Sequence, residues 1–481
     1  MLYPTDPLDW SGAGLGRDGD RPWSQGKTRT STWLRRGLST AAALSAIASC
    51  PAIAQAGSQV TSTSPGSPVT PSIVDVVLYP DDPTSFGVEV DVGQPTALDV
   101  YLLNDMTGSF TDDLPNVRSA VPALTTGLKE IAPDLQMGLG TFADKPIYPF
   151  GGWFYNPGDG RWYQVQDYVY RNSLALTSDP AALQTAANAM AISYGGDLPE
   201  SQLEALLQVA LRSQTELGFR ANAFKTVIVQ TDAVFHYAND PYRVNSQGQP
   251  LPLVDLAGNE GQFTPNNGDA TIDLWEDYPA IGMVRDALLQ SGIVPIFAVT
   301  NDVIGTYQAL VAQWGFGQVV ELNRDSSNLT QAVRSGIQQA LSDVKLFVED
   351  DDFDYVQQVA SDESSKKAGV DHDVPTGDRA KFTVSLADHT SDPRTGDDTL
   401  YLTATGYGRT TVHVTVPTPT STMPPSVAPS PGLPTPSRST PESSPWLALA
   451  GLGLWGWVQR SNRSKQAKRS ANRVGIRSPN G

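Results

Sequence analysis

The chain has 481 residues, 40% of them hydrophobic, which is enough for two domains, and its 37 prolines and 42 glycines mark part of it as unstructured. Its formal charge of -18 is more extreme between the ends, because residues 1–56 carry six basic against four acidic side chains and residues 459–481 carry seven basic and none acidic. Such a field repels nucleic acid and anionic membrane surfaces and leaves cations as the expected partners.

At the amino end, Arg35-Arg36-Gly37-Leu38, the small and apolar residues after it and Ala54-Gln55-Ala56 have the basic, apolar and small-residue zones of a bacterial export signal. Cleavage is expected after Ala56. Ile47-Ala48-Ser49-Cys50 reads alternatively as a lipobox with Cys50 acylated, which Pro51 disfavours, and the arginine pair fits twin-arginine export. Cys50 is the single cysteine, so a chain cut after Ala56 draws its stability from packing and metal rather than from disulfides. Residues 57–71, rich in Ser, Thr and Pro, read as a linker.

Apolar runs of strand length follow at 98–103, 137–142, 225–229 and 293–299, and helical periodicity covers 114–131, 200–211, 278–289 and 328–341. The alternation predicts an open, doubly wound α/β domain over 98–344, with its ligand site at the carboxyl ends of the strands. On either side, 72–97 and 345–416 look all-β, as in Phe382-Thr383-Val384-Ser385-Leu386 and Thr411-Val412-His413-Val414-Thr415-Val416. Neither flank suffices for a sandwich alone. Joined in space they make one β-sandwich with the α/β domain inserted into it.

Residues 417–445 are mostly Pro, Ser or Thr, the composition of an extended stalk. The apolar run 446–458 follows Pro441-Glu442-Ser443-Ser444-Pro445. At about 1.5 Å per residue it falls short of a membrane's hydrocarbon core of roughly 30 Å. With the basic tail, 446–481 resembles a degenerate PEP-CTERM sorting signal, which implies surface anchoring or release after processing.

Asp105-Met106-Thr107-Gly108-Ser109 comes directly after the first strand of the α/β domain. One carboxylate and two hydroxyls at i, i+2 and i+4 suit Mg2+, which takes hard oxygen ligands in near-octahedral array and keeps exchangeable positions. Taken alone, the loop reads more readily as a helix N-cap, with Ser109 and Asp112 satisfying the first amides of the 114–131 helix. The stretch from Asp105 to Thr111 also resembles the Asp-Lys-Thr-Gly-Thr-Leu-Thr motif of P-type ATPases, whose Asp is a covalent nucleophile. Met106 stands where that family has Lys, and no Gly-Asp-Gly-x-Asn-Asp segment follows.

Further motifs occur in one order: Asp112-Asp113, Phe142-Ala143-Asp144-Lys145-Pro146, Asp197-Leu198-Pro199-Glu200, Thr231-Asp232-Ala233 and Asp325-Ser326-Ser327-Asn328. With the Asp-x-Thr-x-Ser loop they resemble the von Willebrand factor A-type, I-like domain of integrin β subunits. Leu78-Tyr79-Pro80-Asp81-Asp82, the stretch Gly377 to Phe382 and Gly406-Tyr407 resemble that family's hybrid domain, which extends the likeness over 73–416.

The resemblance implies an adhesion site in which Asp105, Thr107, Ser109, Glu200 and Asp232 surround Mg2+ or Mn2+, some of them through water. It implies an adjacent Ca2+ site made by Ser109 through its carbonyl, Asp112, Asp113 and the carbonyl of Arg324. A third site would use Asp144, Asp197, the carbonyl of Pro199 and Glu200. There Gly195 stands where the family has Asn, so one oxygen donor is missing. Residues 153–166 take the place of the family's disulfide-closed specificity loop. Without cysteine, they hold Trp153, Phe154, Tyr155, Trp162 and Tyr163, read either as a partner surface or as aromatics packed down to stiffen the loop.

The function so implied is non-catalytic: an exported protein, at the cell surface or extracellular, whose metal takes an exposed Asp or Glu of a protein ligand. A β-propeller α-like subunit is the further partner the family suggests, and membrane contact runs only through the terminal signals. A structural surface protein with loop-stabilising metals is the alternative. The Asp197 and Glu200 carboxylates would suit a hydrolase in principle. The four histidines, His236, His372, His389 and His413, are widely scattered and lend little support to zinc or triad chemistry.

Overall fold

A computed structural model describes residues 57–63, 68–80, 82–92, 95–156, 158–241, 249–361, 370–371, 374, 377–388 and 395–418. The export signal, the stalk from 419 onward and the sorting signal lie outside the described residues. The central unit runs β1 (Ala97–Asp105), α1 (Leu114–Lys129), β2 (Asp134–Phe142), β3 (Arg171–Thr177), α2 (Pro180–Ala189) and α3 (Gln202–Leu211). It continues with β4 (Phe224–Thr231), α4 (Ile281–Ser291), β5 (Ile293–Thr300), α5 (Ile304–Trp314), β6 (Gln318–Leu322) and α6 (Leu329–Ser342). The strands lie in the order β3-β2-β1-β4-β5-β6. All neighbours are parallel except β3, an irregular antiparallel edge on β2.

Side-chain alternation in β1 explains the layering. Leu98, Val100 and Leu102 enter a core with α1, α2 and α6, whereas Tyr101 and Leu103 enter a second core with α3, α4 and α5. A parallel strand covered on both faces reads as a continuous apolar run, and β1, β4 and β5 do so. The alternate glycines of β2 make room for one ring: a Cβ at Gly138 would lie 2.7 Å from Tyr101 Cδ2, and one at Gly140 2.5 Å from its hydroxyl.

Sequence order along the sheet reverses between β1 and β4, so a crevice opens at their carboxyl ends, where doubly wound sheets place ligands. Asp105 ends β1 and Thr231 ends β4. The expected strands and helices are present, and β3, α2, α5 and β6 add to them. Glu200, expected to open a helix, precedes it instead, with Ser201 at the N-cap position of α3.

Strands from before and after this unit form two further sheets. One holds, in order, Gln59–Thr63, Ile73–Val77, Gly408–Val416, Gly396–Ala404, Val344–Glu349 and Val370–Asp371; the other holds Val356–Ser361, Asp378–Leu386, Thr84–Val92 and Val69–Thr70. Val74, Val88, Val384, Leu402 and Val414 are among the residues that share their core. The chain thus leaves this pair of sheets after Val92 and re-enters it at Val344. Residues 57–71, expected as a linker, contribute two short strands instead. The first is a largely exposed edge strand, and the second puts Val69 into the core shared by the two sheets.

At the junction, the Tyr407 hydroxyl donates to the Leu341 carbonyl at 2.5 Å, and its ring packs edge-on to Phe224 at 5.4 Å. Among the described residues no helix is long and apolar enough to cross a membrane.

Candidate metal centre

Asp105 is fully buried at the carboxyl edge of the sheet. Its Oδ1 accepts from the Thr107 amide at 2.8 Å and the Thr107 hydroxyl at 2.7 Å, while Oδ2 accepts from the Thr231 hydroxyl at 2.5 Å. That last bond spans the crevice from β1 to β4. The Ser109 hydroxyl lies 3.3 Å from that of Thr107 and donates to Asp232 Oδ1 at 2.9 Å. The capping alternative fails on this geometry. Asp113 holds the N-cap position of α1, no side chain caps that helix, and Ser109 is bonded to Asp232.

Glu200 reaches the same crevice because the turn before α3 is pinned on both sides. The Ser201 hydroxyl donates to the carbonyls of Ala143 and Val169 at 2.7 and 3.0 Å, and the Glu200 amide donates to the Val234 carbonyl at 2.9 Å. Its carboxylate then lies against Gly195 and Thr107: a Cβ at Gly195, whose φ is +73°, would come within 2.9 and 3.0 Å of the two Glu200 oxygens and 3.2 Å of Thr107 Cγ2. Position 195 therefore has no room for an Asn side chain unless Glu200 moves.

In the adjacent group, Asp113 Oδ1 accepts from the Ser326 hydroxyl at 2.6 Å, and the Asn116 side-chain amide donates to the Asp325 carbonyl at 2.6 Å. Asp112 is exposed nearby. Hydrogen bonding ties this turn to Asp113 through Ser326, while the Arg324 guanidinium donates outward to Asp302 at 2.5 Å. In the third group, Asp144 Oδ1 accepts from the Lys145 amide at 2.7 Å and from the Tyr278 hydroxyl. Asp197 Oδ1 and Asp144 Oδ2 both face His236 Nε2, and Pro199 is buried beside Glu200.

Each of the three groups holds one buried carboxylate oxygen without a hydrogen-bond partner: Glu200 Oε2, Asp113 Oδ2 and Asp144 Oδ2. Burial, and then repulsion from Asp232, pushes the Asp105 carboxyl up to about 7. Burial likewise takes Asp113 to about 7, with Asp232 and Asp112 adding to it against the Ser326 hydrogen bond. Glu200 is held well above the usual carboxylate range by burial and by Asp144 and Asp105. Asp232 and Asp197 are raised too, chiefly by burial, with His236 pulling Asp197 the other way. Uncompensated buried charge costs several kcal/mol per ion, and a divalent cation reverses that balance. Carboxylates, hydroxyls and carbonyls are the hard donors that Mg2+ and Ca2+ take, so these residues fit such ions.

Four residues outside the ligand sets expected from the sequence shape the centre. Thr231 and Ser326 sit inside quoted motifs without an assigned role. His236 is one of four histidines scattered through the sequence. Asp167 carried no signal, yet it accepts from the Gly152 amide at 2.7 Å, the Ser193 hydroxyl at 2.8 Å and the Gly195 amide at 3.2 Å. It thereby ties the Gly195 segment to the base of a hairpin, Trp153–Asn156 paired with Arg161–Gln164, on which Tyr163 is exposed.

A family model described as the integrin beta chain VWA domain matches residues 94–344, just over half of the chain. Integrin beta-7 of Mus musculus is 30% identical over 283 residues, covering 58% of this chain and 34% of that one. Integrin beta-2 of Ovis canadensis is 29% identical over 323 residues, covering 64% and 39%. The chain therefore spans a little over a third of the length of these curated relatives. Among solved structures, a von Willebrand factor type A protein from Catenulispora acidiphila aligns with 76% of this chain and 74% of its own at 10% identity, with a TM-score of 0.30.

Proposed function

The chain belongs to the integrin beta chain VWA domain family, and from that premise we propose that it is an exported, metal-dependent adhesion protein that captures an acidic side chain of a protein ligand. The observation that carries this reading is the meeting of Asp105, Thr107, Ser109, Asp232 and Glu200 at the crevice between β1 and β4, with Glu200 Oε2 left without a hydrogen-bond partner. A Mg2+ or Mn2+ bound there supplies the attraction that an acidic protein otherwise lacks for a carboxylate.

The chain's own residues divide the work. Asp105, Thr107 and Glu200 are buried and fixed, whereas Ser109 is exposed and Asp232 partly so, which leaves the crevice open on their side. Asp112, Asp113 and the carbonyls of Ser109 and Arg324 would hold the adjacent Ca2+, and Asp144, Asp197, Glu200 and the Pro199 carbonyl the third ion. The hairpin carrying Tyr163 is the surface a ligand or a β-propeller α-like subunit would meet. The flanking sheets would serve as a hybrid-like domain, and the working place is the cell surface or the extracellular space. No catalytic step is assigned.

The deciding experiment captures partners from the organism's own surface extract on immobilised protein, in Mg2+ and then in EDTA, with wild type and Asp105→Ala. Partners retained in Mg2+, released by EDTA and absent from a folded Asp105→Ala variant are the expected result. An identical bound set in both buffers sinks the adhesion mechanism. Loss of folding in the variant with no cation-dependent capture by wild type favours the scaffold alternative.

A further inference from the structure

The fold brings His236 into the third carboxylate group, although nothing near it in sequence marks it as a ligand. Its ring is buried, stacked on Tyr278 at 4.5 Å and edge-on to Phe150 at 4.9 Å. Nδ1 lies 2.5 Å from Asp240 Oδ2, and because a carboxylate only accepts, the Nδ1 proton faces Asp240. That turns Nε2 toward Asp197 Oδ1 at 3.4 Å and Asp144 Oδ2 at 3.6 Å.

The Asp197 contact is a long hydrogen bond, and both separations exceed the roughly 2.7–3.2 Å of a well-formed N–H···O bond. They are close to the edge of a tetrahedron whose donors stand about 2.1 Å from a shared ion, which is about 3.4 Å. Asp144 supplies the independent sign of a missing partner: Tyr278 and the Lys145 amide hold its Oδ1, while Oδ2, fully buried, has no hydrogen-bond partner and lies on the His236 side. Asp197, with 22% of its side chain exposed, gives the group an opening to solvent.

We propose that His236 Nε2, Asp144 and Asp197 bind a transition-type divalent cation such as Zn2+, with Asp240 orienting the imidazole. The inference rests on reading the third group as a cation site and changes its chemistry. Gly195 removes an oxygen donor, and the replacement is a nitrogen from another segment. Imidazole suits Zn2+ and its neighbours, whereas Ca2+ takes oxygen ligands. A carboxylate hydrogen-bonded to the far nitrogen of a ligating His is the recurrent arrangement that fixes tautomer and ring orientation.

Electron spin-echo spectroscopy of the full chain loaded with Mn2+ reads the bond directly, because a coordinated imidazole imposes nitrogen modulation on the signal. Modulation is expected in wild type, retained in Asp105→Ala and lost in His236→Gln. In parallel, Zn2+ affinity measured against a chromophoric chelator should fall in His236→Gln, and by about 10–100-fold in Asp240→Asn. Manganese-loaded wild type without nitrogen modulation, or unchanged Zn2+ affinity in His236→Gln, would overturn the proposal and leave His236 as the charged partner of the two carboxylates. Should His236→Gln not fold, the wild-type spectrum and Asp240→Asn decide. If Asp105→Ala keeps the full metal content while the nitrogen signal persists, the adhesion site fails and this one stands.

Discussion

Asp105 and Asp113 make the protein's stability depend on what neutralises them. Burial first, and repulsion from Asp232 next, pushes Asp105 up to about 7, and burial takes Asp113 to the same range. In an unfolded chain such groups titrate near 3.9. Between pH about 4 and 7 the cation-free native state therefore binds more protons than the unfolded chain, and its stability falls as pH rises. In EDTA the contribution of this pair should raise the thermal midpoint on going from pH 7.5 to 5.5. Protons and cations compete for the same oxygens, so the stabilisation by Mg2+ should be greatest above pH 7 and shrink toward 5.5. At a hundredfold excess over Kd one ion adds about 2.7 kcal/mol. Calorimetry at both pH values, with and without Mg2+, checks this, and an equal Mg2+ increment at both contradicts it.

Among the elements, β2 offers the sharpest test of packing. Its two glycines lie under the Tyr101 ring, which is buried and anchored by a hydroxyl bond to Asn172 at 2.9 Å. Gly140→Ala should cost about 1–3 kcal/mol by overpacking, read as a lower urea midpoint. An unchanged midpoint would mean that Tyr101 can swing aside. Much at this scale was legible because it is local: β1, β4 and β5 announce themselves as apolar runs, and the Asp105 to Ser109 loop by its spacing after a strand. β3 was not legible, because Arg171–Thr177 is an edge strand with irregular register and partly exposed side chains. The same limit hides Asp167, Ser326 and His236 at the centre. Apart from Asp240, four positions from His236, the partners cited for them stand 15 to 213 positions away, and no local pattern encodes those contacts.

At the scale of the whole folded unit, α6 links the cation groups to the flanking sheets. The turn before it is bonded to Asp113 through Ser326, and its last turn is bonded to Tyr407 through Leu341. Fourteen helical residues place these ends roughly 20 Å apart. Beside Tyr407, Gly406 has φ +80°, and a Cβ there would fall 2.3 Å from Phe224 Cε2, at the end of β4 remote from the metal centre. Gly406→Ala should therefore loosen the junction without touching any proposed ligand. If α6 carries coupling, exchanging EDTA for Mg2+ should change the solution-scattering profile of wild type. In Gly406→Ala that response should weaken, while Mg2+ affinity measured by calorimetry stays within a few-fold of wild type. A wild-type profile identical with and without Mg2+ would remove any role for α6 in transmitting cation binding, because a ligand shifts an equilibrium only by its differential affinity for the two states.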